Sequence, residues 1–171
     1  KVGDPGLVHA IARLRTRKVG DEIDAMRITA RVTREAHESA MRATRPGVKE
    51  QEIAGVVESC FVRAGCVPAY NTILSVRGEV LHNHEHGNVC HSGDLLLLDA
   101  GAEDAATGYC SDVTRTWPVS GKFIAEQAVI YDLVLRAEST AIAAAKPKAR
   151  YRDVHLAAAE VIAEGLVEVG L

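Results

Sequence analysis

No stretch of the sequence comes near the ~20 consecutive apolar residues that a membrane-spanning helix needs; Leu95–Leu98 is a run of four. Neither sign of charge dominates. Twenty Lys and Arg stand against 23 Asp and Glu, so the net charge of −3 lacks the basic excess of a nucleic-acid-binding surface. Cysteine is sparse, at Cys60, Cys66, Cys90 and Cys110, with no C-x-x-C pair. That excludes a small disulfide-built secreted scaffold and favours separate thiols in a reducing compartment, hence a cytoplasmic location, with no secretory leader visible. There is no G-x-G-x-x-G, no phosphate-binding G-x-x-x-x-G-K-[ST] and no G-x-S-x-G, which leaves nucleotide cofactors and serine hydrolase chemistry unsupported. The zinc-binding H-E-x-x-H is missing too, because His84-Glu85 is followed by His86-Gly87-Asn88.

What is present reads as globular: 47% apolar and 25% charged residues over 171 positions suit one ordinary soluble domain. The chain begins at Lys1 and ends on a helical pattern without an evident stop, so it is expected to be part of something longer. Residues 1–20, with a basic run at Arg13, Arg15, Arg17 and Lys18, read as a solvated lead-in. Asp21-Glu22 opens a helix whose stripe is Ile23, Met26, Ala30, Thr33, His37, Ala40 and Met41, and Pro46-Gly47 stops it. A second helix carries Ile53, Val56, Val57, Cys60, Phe61 and Ala64, with Gly65 just past its end. Three strands follow: Tyr70–Val76, the doubly buried run Leu95–Ala100, and Tyr109–Trp117 ended by Pro118. Helices return at Gln127–Ala145 and from Val154 onward.

The two helix pairs are an internal repeat. A shift of 101 residues carries Pro46 onto Pro147, Arg45 onto Lys146, Ala36, Ala40 and Ala43 onto Ala137, Ala141 and Ala144, Ile53 onto Val154 and Phe61 onto Ile162. The first pair is followed by strands and the second by nothing, so the duplicated unit is incomplete. The organisation expected is a joint at 1–20, a first half at 21–122 and the helices of a second half at 123–171.

Asp99 ends a run of leucines on the face shared by Leu95 and Leu97, where a carboxylate is costly unless it is paired or bound to a cation. Asp112 lies in Ser111-Asp112-Val113-Thr114-Arg115, on the face of Cys110, Thr114 and Thr116. If 101–108 is a hairpin loop, the two carboxylates sit on neighbouring antiparallel strands and converge, as hard oxygen ligands suited to Mn²⁺, Mg²⁺ or a dinuclear site. His82, His84, His86 and His91 crowd around Cys90, but without paired zinc-ligand spacing. They read as a polar loop with one or two functional histidines, against an alternative zinc site at His84, His86 and Cys90.

At EIDAMRITARVTREAH (22–37), RPGVKEQEI (45–53), PAY (68–70), LHNHEHGN (81–88), GDLLLLDAGAE (93–103), GYCSDVTRTWPVSGKF (108–123) and IYDLVL (130–135), the chain resembles the pita-bread metallopeptidases, in the aminopeptidase P and prolidase branch. The resemblance implies an α+β fold of two pseudo-symmetric halves around a curved antiparallel sheet, incomplete in these residues. It implies two divalent metal ions, manganese first with cobalt or zinc as alternatives, held by two aspartates, a histidine and two glutamates. Asp99 and Asp112 match the aspartates; the other three ligands belong to the second half, beyond Leu171. His82 matches the histidine that faces substrate and would donate a hydrogen bond near the cleaved bond, and Tyr70 is assigned to substrate binding. The implied reaction is hydrolysis before proline by a metal-bridging hydroxide, on peptides with proline second, in a branch that is often oligomeric. Neither nucleic acid nor membrane is expected as a partner.

Two departures stand out. The spacing from Asp99 to Asp112 is two positions longer than is usual in that family, which a longer loop around 103–107 absorbs without turning either side chain to the other face. Lys148 stands where glycine often follows the proline, and a changed turn is expected. Competing readings are a prolidase restricted to dipeptides, and a pita-bread module that has lost catalysis and binds peptides or proteins.

Overall fold

The computed structural model describes residues 3–171, so the first two positions of the 1–20 segment lie outside the described residues. The chain divides into two compact units, Lys1–Gly121 and Lys122–Leu171. The first contains α1 (Pro5–Thr16), α2 (Gly20–Ala43), α3 (Glu50–Arg63), β1 (Cys66–Pro68), β2 (Ile73–Ser75), β3 (Leu95–Ala100), β4 (Ala102–Asp104) and β5 (Val113–Pro118); the second contains α4 (Ala125–Ala144) and α5 (Tyr151–Glu168).

The lead-in differs from expectation, because it is a helix. Asp4 accepts a hydrogen bond from Gly6 N at 2.8 Å, Pro5 fits the first position, and Arg13 and Arg15 fall in the last turn where the dipole favours them. No residue of α1 is buried, so it is solvated along its length.

In the first unit, β3 is the centre of an antiparallel sheet ordered β2–β3–β5, and β1 pairs with β4 in a separate two-stranded ribbon. The expected strand over 70–76 shrinks to Ile73–Ser75, and β1 before it has no counterpart in the sequence pattern. The expected start of β5 at Tyr109 is too early. Cys110 makes only an isolated bridge to Glu103, and Pro118 is the last residue of β5 rather than a stop beyond it. Such three-residue strands exist only through partners distant in sequence.

Leu96, Leu98 and Ala100 on β3 are buried, with Leu74, Trp117, Ile53, Val57 and Phe61 in the same core. Leu95, Leu97 and Asp99 are only half-buried, so β3 is central but covered on one face among the described residues, not on both as expected. The buried stripe of α2 is also rotated. It consists of Thr29, Val32, Thr33, Ala36, His37 and Ala40, while Ile23, Met26 and Met41 are exposed. Small and hydroxylated residues let the helix approach the sheet closely and hydrogen-bond to it, so the larger apolar residues mislead.

The second unit is a helical hairpin. Leu133 and Ala137 are buried, and Gly165 is packed so closely that a Cβ there would lie 2.2 Å from Leu133 Cδ1. The chain does carry a stop signal for α5. Gly170, at φ +84°, donates to Val167 O, and Leu171 N donates to Leu166 O, the paired hydrogen bonds of a Schellman C-cap.

The repeat also sharpens. At the 101-residue offset, the end of α2 (Ala43) falls on the end of α4 (Ala144), and the start of α3 (Glu50) on the start of α5 (Tyr151). The connecting turn is not changed at Lys148, contrary to expectation. Lys148 has φ +72°, in the same left-handed region as Gly47 at φ +90°. A side chain there costs about 1 kcal/mol. Lys148→Gly should therefore raise stability by about that amount, read as a higher denaturant midpoint at unchanged slope.

Candidate metal centre

Asp99 is the fifth residue of β3 and pairs with Ile73 on one side and Thr114 on the other. Asp112 lies just before β5, two residues before Thr114, so it projects to the same face as Asp99. The hairpin between them is closed by Ser111 N donating to Ala102 O at 3.0 Å and Gly108 N donating to Asp104 O at 2.8 Å.

Gly101 permits the close approach behind the two aspartates. A Cβ on it would stand 1.8 Å from Ser111 O and 3.2 Å from Tyr70 Cε1. The neighbours of Asp112 on both sides are fastened to α2. Ser111 Oγ is hydrogen-bonded to Thr33 Oγ1 at 2.6 Å, Ala102 N donates to that same Thr33 oxygen at 2.9 Å, and His37 Nε2 lies 3.0 Å from Val113 O. The polar residues on the buried stripe of α2 thus set the backbone that carries Asp112. Periodicity treats Thr33 and His37 as ordinary stripe positions and misses this role.

The two carboxylates meet at Tyr70. Its Oη lies 2.6 Å from Asp99 Oδ1 and 2.7 Å from Asp112 Oδ1. Tyr70, expected to bind substrate, is therefore placed directly between the two aspartates. A phenol has one proton to donate, so two ionised carboxylates on one Oη leave one of them without a donor. That shortfall of positive charge among converging hard oxygens fits a divalent cation. Among the described residues, no group of three His, Cys, Asp or Glu side chains is placed to hold a metal. This part of the chain offers two carboxylates and no complete shell.

Burial, then the hydrogen bonds to Asp99 and Asp112, push the Tyr70 phenol far above its ordinary value of 10.0. A raised value means the neutral phenol is the stabilising form, so its contribution is full below pH 10 and is lost as the pH climbs further. In metal-free protein, Tyr70→Phe should remove the last tyrosine to ionise in an alkaline absorbance titration at about 295 nm, and should flatten the loss of stability above about pH 10.

His82 is exposed, at φ +56°, in the segment between β2 and β3, and it makes no hydrogen bond among the described residues. The structure does not join it to the aspartates. His84 is exposed, His86 Nδ1 lies 3.1 Å from Leu74 O, and Cys90 is in the core. Burial, then Glu50 and Asp94 nearby, push the Cys90 thiol up to about 11, which disfavours the thiolate a zinc ligand requires. No helix among the described residues is long and apolar enough to cross a membrane.

The sequence model of metallopeptidase family M24 matches residues 24–170. The chain is 36% identical over 164 residues to the Xaa-Pro aminopeptidase of Escherichia coli, covering 94% of this chain and 37% of that protein. It is 33% identical over 171 residues to the human Xaa-Pro dipeptidase, covering 94% of this chain and 34% of that protein. Among solved structures, it superposes on the aminopeptidase PepP of Pseudomonas aeruginosa with a TM-score of 0.85 at 38% identity, covering 90% of this chain and 35% of that one. A zinc-substituted E. coli aminopeptidase P in complex with product gives a TM-score of 0.85 at 37% identity, with the same coverage of 90% and 35%. The chain thus spans little more than a third of the length of the relatives it matches.

Proposed function

This chain belongs to metallopeptidase family M24, and from that premise we propose that it forms the first part of a catalytic domain hydrolysing the bond between an N-terminal residue and a following proline. Its α+β architecture is the pita-bread fold of the solved relatives, present in part. On this reading residues 1–20 are a joint to a preceding domain, 21–122 are the first half of the fold and 123–171 are the helices of the second.

The observation that carries the proposal is the convergence of Asp99 and Asp112 on one hydroxyl. The two aspartates supply hard anionic oxygens for two divalent cations, manganese first by that oxygen chemistry; zinc is the alternative, having been substituted into the E. coli relative. When bound, such ions supply a water of lowered pKa and polarise the scissile carbonyl. Tyr70 donates a hydrogen bond from its hydroxyl to a carboxylate and keeps both aspartates oriented. His82, on an exposed segment, donates a hydrogen bond to substrate near the cleaved bond. The remaining ligands come from sequence beyond Leu171, the substrates are peptides with proline second, and the setting is cytoplasmic, with self-association in keeping with the branch. The second reading, a dipeptidase, is favoured by the identity to the human Xaa-Pro dipeptidase.

The test uses full-length protein loaded with manganese and then stripped with chelator. Release of the first residue from Xaa-Pro tripeptides and longer peptides, lost on stripping and restored by metal, is the expected result. Cleavage of Xaa-Pro dipeptides alone assigns the second reading, and no metal-dependent cleavage of either overturns the proposal. Residues 1–171 alone should show no turnover.

A further inference from the structure

Glu50 is fully buried, at 0% exposure, yet it is a carboxylate at the first position of α3. A carboxylate out of water must collect hydrogen bonds or it destabilises the fold. Glu50 collects them all from one segment. Val76 N donates to Oε1 at 2.8 Å, Asn88 N donates to Oε2 at 3.1 Å, and Asn88 Nδ2 lies 3.1 Å from each oxygen. The exchange is reciprocal, because Glu50 N donates to Asn88 O at 3.0 Å and Gln51 N to His86 O at 3.1 Å. Loop carbonyls therefore satisfy two free N–H groups of the first turn of α3, those of Glu50 and Gln51, while Glu52 Oε1 accepts from Lys49 N at 3.0 Å. The positive end of the helix also favours the carboxylate where it sits.

Val76 and Asn88 bracket the segment that carries His82. One buried carboxylate draws both ends of that segment together, and His82 stands between them at φ +56°, in the left-handed region that few non-glycine residues adopt. We infer that Glu50 is a positioning residue, closing segment 76–88 into a fixed loop so that His82 is presented in one place. The inference rests on the reading of His82 as the substrate-facing histidine.

The experiment compares Glu50→Gln in full-length, manganese-loaded protein with and without His82→Ala. The amide of Gln keeps the volume but sets an NH₂ group against N–H donors. With His82 present, kcat on an Xaa-Pro peptide should fall about tenfold at unchanged metal content and little changed KM. With His82 already replaced by Ala, Glu50→Gln should cost less than about twofold, because the effect runs through that side chain. Amide exchange over 76–88 should rise by about tenfold or more in metal-free protein, while α2 stays protected. Asn88→Ala, which removes the two Nδ2 contacts from the loop side and leaves the backbone donations of Val76 and Asn88 in place, should reproduce both results in weaker form if Glu50→Gln fails to fold. An equal loss of kcat in both His82 backgrounds overturns the inference, as does unchanged exchange over 76–88. If the unmodified protein cleaves no Xaa-Pro peptide, the functional reading fails, and the exchange measurement alone decides whether Glu50 closes the loop.

Discussion

Asp99→Asn in the full-length protein is expected to lower kcat/KM on an Xaa-Pro peptide by on the order of 10³-fold, since a lost metal ligand removes several kcal/mol of transition-state stabilisation and each ~1.4 kcal/mol is tenfold. Asparagine matches aspartate in shape and still offers an oxygen to Tyr70 Oη, now 2.6 Å from Asp99 Oδ1. The backbone pairing of position 99 with Ile73 and Thr114 does not depend on the charge. In metal-free protein, Asp99 and Asp112 share the single hydroxyl donor of Tyr70, so replacing one of them leaves that donor to the other. Thermal stability of the stripped variant should therefore be unchanged or somewhat higher, while bound metal falls. Loss of activity with retained stability is what a site under functional strain produces. Normal activity in Asp99→Asn would sink the metal role.

Gly101→Ala should do the opposite and damage the fold itself. The φ at this position is unremarkable, so the demand is for space: the new methyl would stand 1.8 Å from a backbone oxygen, Ser111 O, which cannot swing aside as a side-chain end can. Gly101 O also accepts from Ala69 N at 2.9 Å, which ties the segment leading to Tyr70 to the same point. Relief requires moving either the hairpin that carries Asp112 or the β3 end that carries Asp99. A loss of roughly 3–5 kcal/mol is expected, at the upper end for a single substitution, read by denaturant unfolding. A midpoint shift within about 0.5 kcal/mol of the parent would mean that the close approach is not required.

These two positions show how unevenly the molecule can be read from its residues. Leu95–Ala100 is recovered to the residue, because a short apolar run flanked by Gly93-Asp94 and Gly101 has few other uses. Helix limits fall within a few residues because Pro46, Gly47, Gly65 and Pro147 mark them chemically. Convergence of the two aspartates follows from the side-chain period of two and a hairpin between them. What escapes depends on contacts between distant positions. The ribbon of β1 with β4, the seat of Thr33 against Ser111, and Tyr70 between two carboxylates have no local signature. Glu50 looks like an ordinary acid in a helix's first turn, and nothing nearby in the sequence reveals that Val76 and Asn88 bury it. Gly170 is easily passed over, because one glycine after an apolar helix reads as composition until its φ is known.

Gly47 and Lys148 share one more consequence. They have no side-chain chemistry in common, yet each holds the same left-handed bend at the same step of a repeated helix pair. The backbone torsion is the same at both steps, although only one of the two residues makes it easy. Comparing dihedral angles position by position therefore picks up an internal repeat at a step where matching residues does not.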